Sequence, residues 1–244
     1  MILGLIPARL KSTRLPEKPL EQLDGIPLII HVYKRAKLSL SCDEIIVCTD
    51  SEKILKEVNH YGGKAIMTSE KHKNGTERIS EVAKNFKARL VLDIQGDEPL
   101  LNPNDIDLVV NYHLDNDHFD IIVPSHPTIE KIDNPNIVKI VSNEKGEVVY
   151  FSRSLIPNNF KKKQIIFNRH LSIVSFKPKI LQDFSKLDIS SLEKIEDIEL
   201  LRALENKMKI GTFSIKGDSF SVDTQDDLTR AKEIIKNDPI RKLY

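Results

Sequence analysis

The sequence predicts an α/β fold on a doubly wound, mostly parallel sheet, and three observations carry that prediction. Strand-like apolar runs alternate with helix-like amphipathic runs through the first half of the chain. The first run, Ile2 to Ile6, passes through Pro7 into a basic loop, and open α/β sheets place their ligand crevice at the carboxyl end of such a strand. Antiparallel signals replace the alternation from about 125 to 215, which reads as a lobe inserted on the sheet within a single domain spanning residues 1–244.

The elements follow in order. Pro27 opens a helical pattern with Leu28, Ile29, Val32 and Ala36 on one face. Glu44 to Cys48 reads as a strand, and Thr49-Asp50-Ser51 as its exit turn and the next helix cap. Lys53 to Tyr61 is helical and closed by Gly62-Gly63; Lys64 to Met67 is a strand. Asn74-Gly75 marks a turn, with Thr76 as the expected cap of a helix running to about Phe86. Arg89 to Ile94 is a strongly apolar strand ending in Gln95-Gly96-Asp97-Glu98-Pro99. A helix over Asn104 to Leu114 and a strand over Ile121 to Val123 complete the alternating half. Val138 to Val141 and Val148 to Phe151 flank Asn143-Glu144-Lys145-Gly146, a hairpin signal in which the glycine supplies a positive φ. Residues 158–164 read as a basic surface loop, Leu171 to Phe176 as a strand, and Leu192 to Leu204 as one helix. Ile210 to Ile215 is a strand, followed by Ser221-Val222-Asp223-Thr224 and a last amphipathic helix from about Thr224 to Ile235.

Composition narrows the function. A net charge of +1 creates no overall field for nucleic acid or membranes, so any basic chemistry is local. Hydrophobic residues make up 40%, enough for a sizeable core, and no apolar run approaches the roughly 20 residues of a membrane span. Cys42 and Cys48 are not spaced as a metal knuckle, and with Met1 leading straight into the first strand they predict a soluble cytoplasmic protein. There is no GxGxxG after the first strand, no GxxxxGK[ST] and no Cys/His cluster, which argues against a dinucleotide oxidoreductase, a P-loop kinase and a zinc site.

The residues suited to chemistry gather in a few stretches. The first loop sets Arg9, Lys11, Arg14 and Lys18 against one acid, Glu17, with hydroxyls from Ser12 and Thr13 and stiffening from Pro16 and Pro19. That mix suits phosphate oxygens, although a solvated basic turn has the same letters. Asp97 and Glu98 stand at the mouth of the sheet, pointing at the same crevice, and carboxylates facing a phosphate loop usually hold Mg²⁺. Asp223 is a further carboxylate candidate, or simply a helix cap. Gln95 could hold a sugar hydroxyl or carboxylate, Arg153 and His170 are cation candidates for an acidic substrate, and Thr76, Glu77 and Arg78 could line a base pocket. Glu193, Glu196, Asp197 and Glu199 share a helical stretch whose acids read as its wet face.

Taken together these strings resemble the sugar-acid cytidylyltransferases, and above all the 3-deoxy-manno-octulosonate (Kdo) cytidylyltransferases. Pro7-Ala8-Arg9, Ser12-Thr13-Arg14, Pro16 and Lys18-Pro19-Leu20 resemble the family's signature loop. Matches continue in the family's order through His31-Val32, Arg35-Ala36, Thr49-Asp50, Met67-Thr68, Gly75-Thr76-Glu77-Arg78 and Gln95-Gly96-Asp97-Glu98-Pro99. They run on through Asn136, Val138-Lys139, Tyr150-Phe151-Ser152-Arg153, Ile156-Pro157, Arg169-His170-Leu171, Leu192-Glu193, Ile195-Glu196, Leu201-Arg202 and Val222-Asp223-Thr224. The resemblance implies a nucleotide-diphospho-sugar transferase-like fold and a homodimer built through the inserted lobe. It implies that the anomeric hydroxyl of an eight-carbon 3-deoxy-2-ketoaldonic acid attacks the α-phosphate of CTP, giving a CMP-sugar and pyrophosphate for lipopolysaccharide or capsule. Arg9, Ser12, Thr13, Arg14 and Lys18 then grip the triphosphate, and Asp97 and Asp223 take Mg²⁺. Pro7, Ala8, Met67, Thr68, Thr76 and Arg78 surround the cytidine; Gln95, Arg153, His170, Glu193 and Glu196 face the sugar. Two stretches depart from the family pattern. Leu171-Ser172-Ile173-Val174-Ser175-Phe176 lacks two tyrosines, and Glu199 is followed by Leu200 where the family has Gln. Changed donors at a sugar wall redirect specificity, so activation of a related ulosonic acid, such as an 8-amino analogue, and a non-catalytic nucleotide-binding paralogue stand as alternatives.

Overall fold

The computed structural model describes residues 1–10, 15–129, 134–161, 166–217 and 219–244. Lys11, Ser12, Thr13 and Arg14 of the basic loop lie outside the described residues, as does part of the 158–164 segment.

The first half runs β1 (Ile2–Ala8), a 3₁₀ turn (Lys18–Leu20), the short pair β2 (Gln22–Leu23) and β3 (Ile26–Pro27), α1 (Leu28–Ala36), β4 (Glu44–Thr49), α2 (Glu52–His60), β5 (Ala65–Met67), α3 (Gly75–Ala83), β6 (Leu90–Ile94) and α4 (Pro103–Asp115). The second half runs β7 (Ile121–Thr128), β8 (Lys139–Ser142), β9 (Val148–Ser152), β10 (Phe167–His170), β11 (Ile173–Phe176), α5 (Pro178–Phe184), α6 (Ser191–Glu196), α7 (Leu200–Glu205), β12 (Ile210–Ser214), α8 (Gln225–Ile235) and a last 3₁₀ turn (Pro239–Leu243).

The main sheet has the order β5-β4-β1-β6-β11-β7, with β12 on the other edge of β7 and β10-β8-β9 branching from its far half. β5, β4, β1 and β6 are mutually parallel, and β12 is parallel to β7. β11 runs antiparallel to both β6 and β7, and the branch is antiparallel throughout. This is the α/β class with extra antiparallel strands that the sequence predicts. Side chains on β1 alternate between two cores: Ile2, Ile6 and Ala8 join the side packed by α1, α2, α4 and α8, while Leu3 and Leu5 join the side packed by α3, α5 and α7.

Several boundaries differ from the sequence reading, each for a local reason. The cap of α3 is Asn74, whose side chain accepts the Glu77 N–H, so Thr76 already lies inside the helix and its hydroxyl is free for another partner. β7 continues past Val123 through Pro124 and Pro127, pairing with β12 on one edge and β10 on the other. The strand expected over Leu171 to Phe176 starts only at Ile173, because the chain shifts register along β7 between His170 and Ser175. The helix expected over Leu192 to Leu204 is two helices. Asp197 enters the left-handed region at φ 53 and closes α6, although the apolar spacing continues across the break. The expected hairpin turn is present, with Gly146 at φ 77.

The core also carries a buried titratable group. His113 has no exposed surface; Nδ1 lies 2.7 Å from Ser175 Oγ and Nε2 lies 3.3 Å from the Phe119 carbonyl. A neutral imidazole protonated at Nε2 satisfies both, and burial pulls its pKa to about 4 from 6.5. The unfolded chain therefore binds a proton that the folded chain refuses between pH 6.5 and 4, so this group's contribution to stability is lost as pH falls through that window. Buried Asp93, Glu98 and Glu199, whose carboxyl pKa values burial raises, act in the opposite sense, so the histidine is isolated by comparison with a variant. In His113→Gln the loss of stability on acidification is shallower than in wild type, by up to about 1.4 kcal/mol per pH unit. Urea unfolding at pH 7, 6 and 5 measures it; equal slopes for the two proteins contradict a neutral His113.

Candidate active site

The loops after β1 and β6 meet over the carboxyl ends of the parallel strands, where β1 turns to β4 on one side and β6 on the other. Their contact requires glycine at 96: a Cβ there would stand 2.6 Å from the Pro7 carbonyl oxygen. A cleft of about 700 Å³ opens above this contact. β1 supplies Pro7 and Ala8, the loop after it Arg9, the first 3₁₀ turn Lys18, and the β6 exit Gln95, Gly96 and Asp97; His72, Lys73, Gly75 and Arg78 also line the cleft.

At one end of the cleft Lys18 Nζ lies 2.8 Å from Asp97 Oδ2 and 3.1 Å from Asp223 Oδ1. Lys18 and Asp223 are 205 positions apart in sequence. Their meeting has a visible cause. The Val222 N–H donates to the Asp97 carbonyl at 2.9 Å, Ser221 Oγ donates to Glu98 at 3.3 Å, and the Val222 side chain is fully buried. Burying one valine contributes roughly 1.5–3 kcal/mol, which anchors the segment and leaves Asp223 beside Asp97. Thr224 then caps α8 in a reciprocal arrangement with Asp227, so Asp223 is not the cap itself. Burial alone would lower the Lys18 pKa. The charges and hydrogen bonds of Asp97 and Asp223 outweigh it and hold the ammonium above its ordinary 10.5, so Lys18 is charged at pH 7. Glu98 differs from the sequence expectation: it is only 6% exposed, faces Ser221, and lines no part of the cleft.

Arg78 is almost fully buried and pairs with Asp50 at 2.6 Å while donating to Thr68 Oγ. It fixes α3 to the ends of β4 and β5 and borders the cleft. Thr68 stands behind Arg78, and Met67 is exposed at the end of β5; neither lines the cleft. His72 is braced by Glu81 and, at 3.8 Å, by Glu77.

A second, smaller cavity of about 230 Å³ adjoins the first, and Gly75 and Gln95 belong to both walls. It contains His170, Thr76, Asp93 and Glu199 among apolar Val174 and Phe176. Thr76 Oγ donates to Glu199 at 2.7 Å, and Gln95 Nε2 donates to Asp93 at 2.8 Å. Burial pulls the His170 pKa to about 4, so this residue is a neutral hydrogen-bonding group rather than the cation expected from sequence.

Arg153, Glu193 and Glu196 line neither cavity. Arg153 donates to the carbonyls of Glu196, Asp197 and Pro135 at 2.7, 2.9 and 3.0 Å. Glu196 accepts from Ser152 Oγ and the Arg153 N–H at 2.6 and 2.9 Å, tying α6 to β9. Glu193 completes the α6 capping box with Ser190 and pairs with Arg202 at 3.2 Å. Asp93 is the residue that sequence reading passed over, and its signal was there: a lone acid inside Leu90-Val91-Leu92-Asp93-Ile94.

Among the described residues no group of three or more His, Cys, Asp or Glu could hold a metal ion. The pair Asp97 and Asp223 nonetheless fits Mg²⁺, since both already contact one cationic atom and offer only hard oxygens; phosphate oxygens and water would complete the set.

The cytidylyltransferase family profile matches residues 3–210. A 3-deoxy-manno-octulosonate cytidylyltransferase of Thermodesulfovibrio yellowstonii is 42% identical, covering 95% of this chain and 96% of its own. One from Fusobacterium nucleatum is 40% identical over 98% of both chains. A solved structure of CMP:2-keto-3-deoxy-manno-octonic acid synthetase in complex with CTP superposes with a TM-score of 0.93 at 33% identity, covering 97% of this chain and 98% of that one. A 4-diphosphocytidyl-2C-methyl-D-erythritol synthase from Anaerococcus prevotii, at 13% identity and TM-score 0.65, shares the fold.

Proposed function

This chain belongs to the cytidylyltransferase family, and from that premise we propose that it transfers CMP from CTP to the anomeric hydroxyl of 3-deoxy-manno-octulosonate. The observation that carries the reading is the pairing of Lys18 with both Asp97 and Asp223 in a cleft that shares Gln95 with an adjoining second cavity.

The chain's own groups divide the work. Arg9 and Lys18 offer positive charge to the triphosphate, and α3 points its amino end, with Gly75, at the same space. In this reading Gln95, which lines both cavities, orients the sugar acid toward the α-phosphorus. The anomeric oxygen bonds to phosphorus and gives up its proton to solvent as the bond to the departing pyrophosphate breaks; no side chain is needed as a covalent carrier. Asp97 and Asp223 would hold Mg²⁺, which when bound neutralises phosphate charge and polarises the attacked phosphorus. The reading places the reaction in the cytoplasm, where nucleoside triphosphates are available; among the described residues no helix is long and apolar enough to cross a membrane. It also carries a homodimer paired through the 125–215 lobe, where Val149, Phe160, Ile166 and Ile195 are exposed. A dimer mass in sedimentation supports that pairing, and a monomer mass removes it.

Pyrophosphate release with Mg²⁺, CTP and a panel of 3-deoxy-ulosonic acids tests the function. Release with CTP and 3-deoxy-manno-octulosonate, and loss of release with UTP, is the expected result. No release with any acid would make the protein a nucleotide binder without turnover.

A further inference from the structure

We propose that Asp93 is a specificity-determining residue of the second cavity, its free carboxyl oxygen taking a hydroxyl of the sugar acid at the end remote from the reacting one. This deepens the sugar-acid reading and rests on it.

A carboxyl at this point of β6 is out of place for folding. Asp93 lies opposite Leu5 on β1 and Val174 on β11, and the same face of its own strand carries Val91. It is 4% exposed. Among the described residues the one hydrogen bond to its carboxyl comes from Gln95 Nε2 to Oδ1, and no lysine or arginine pairs with it. A buried acid without a cation is unfavourable unless it has a polar partner, and an aliphatic side chain would pack better among these neighbours. The space that Asp93 borders is the cavity shared with Thr76, Gln95, His170 and Glu199.

Charge orients the substrate in that space. Among the described residues no lysine or arginine lines the second cavity, whereas Arg9 and Lys18 line the first. The carboxylate and anomeric centre of a sugar acid therefore belong on the cleft side of Gln95, and the hydroxylated remainder belongs against Asp93 and Glu199. The groups facing Asp93 suit hydroxyls. Burial, with the charges of Glu199 and Asp97, pushes its carboxyl well above the ordinary range, burial raises Glu199, and His170 is neutral. Carboxyl oxygens accept from a sugar hydroxyl and a neutral imidazole can donate to or accept from one, so a hydroxyl missing from the substrate leaves these groups unpartnered.

The test is Asp93→Asn, which keeps the oxygen that Gln95 holds and changes only the atom turned to the cavity. The KM for 3-deoxy-manno-octulosonate rises about 10-fold or more. The KM for CTP, kcat at saturating sugar and the thermal midpoint stay near wild type. Among analogues each lacking one remote hydroxyl, one gives the same KM with Asp93→Asn as with wild type, because the contact is already gone. Glu199→Gln, on the facing wall, raises the sugar KM in the same selective way and serves if Asp93→Asn does not fold. An unchanged sugar KM overturns the proposal, as does a joint fall of both substrates' parameters with the thermal midpoint, which would mark a merely structural acid. Wild-type protein that releases no pyrophosphate at all overturns the sugar-acid reading instead, so the two failures are distinct.

Discussion

Asp97→Ala lowers pyrophosphate release by at least about 10³-fold and leaves the fold intact, the size expected when preorganised charge is removed from a phosphoryl-transfer site. The structure separates the two effects. The Asp97 side chain is 29% exposed and its salt bridge is with Lys18, which keeps Asp223 as a partner. The contact that positions the 219–223 segment runs through the Asp97 carbonyl, which alanine retains. Loss of one partly exposed ion pair costs no more than about 1 kcal/mol, so circular dichroism and the thermal midpoint stay near wild type. Asp223→Ala behaves alike, because the two carboxylates act on one centre. Turnover by either variant within about 10-fold of wild type would remove their proposed metal and phosphate role.

Lys18→Met raises the KM for CTP by about 10² or more and lowers kcat with it, through loss of a charge-assisted contact to phosphate. The variant also makes a less obvious prediction. In the free protein the Lys18 ammonium occupies the space between Asp97 and Asp223, and its raised pKa reports how strongly the carboxylates hold it. Removing it leaves two like charges without their shared cation. Divalent cations then bind the nucleotide-free variant more tightly than wild type, and calorimetric titration with Mg²⁺ or Mn²⁺ reads the difference. Weaker or unchanged divalent binding, together with an unchanged KM for CTP, contradicts the assignment of this cluster.

Legibility in the sequence followed the range of the interaction. The turn at Lys18, the Gln95-Gly96-Asp97 strand exit and the last helix were readable because turn residues, caps and apolar periodicity are local. The family strings put Asp97 and Asp223 into one site, but letters alone could not show how. The means is a backbone hydrogen bond from Val222 to Asp97 and the burial of Val222. The same strings mix functional and structural residues. His31 and Arg35 match the family yet are buried in α1, holding the Leu23 and Leu101 carbonyls at 2.7 and 2.9 Å. Arg153, Glu193 and Glu196 match it too, and their hydrogen bonds and ion pairs join α6 to β9 and α7. Periodicity misled where geometry departed from it, at the left-handed Asp197 between α6 and α7. It also missed Glu199, which faces the second cavity from that break rather than lying on a wet helix face.

The central claim is that one site holds the polyphosphate, the fixed cation and both carboxylates. A crystal structure with CTP and Mn²⁺, the metal located by its anomalous signal, tests it most directly. Triphosphate oxygens within hydrogen-bond distance of Lys18 and an anomalous peak in contact with Asp97 and Asp223 are the expected result. Nucleotide bound elsewhere, or a metal peak away from both aspartates, would contradict it.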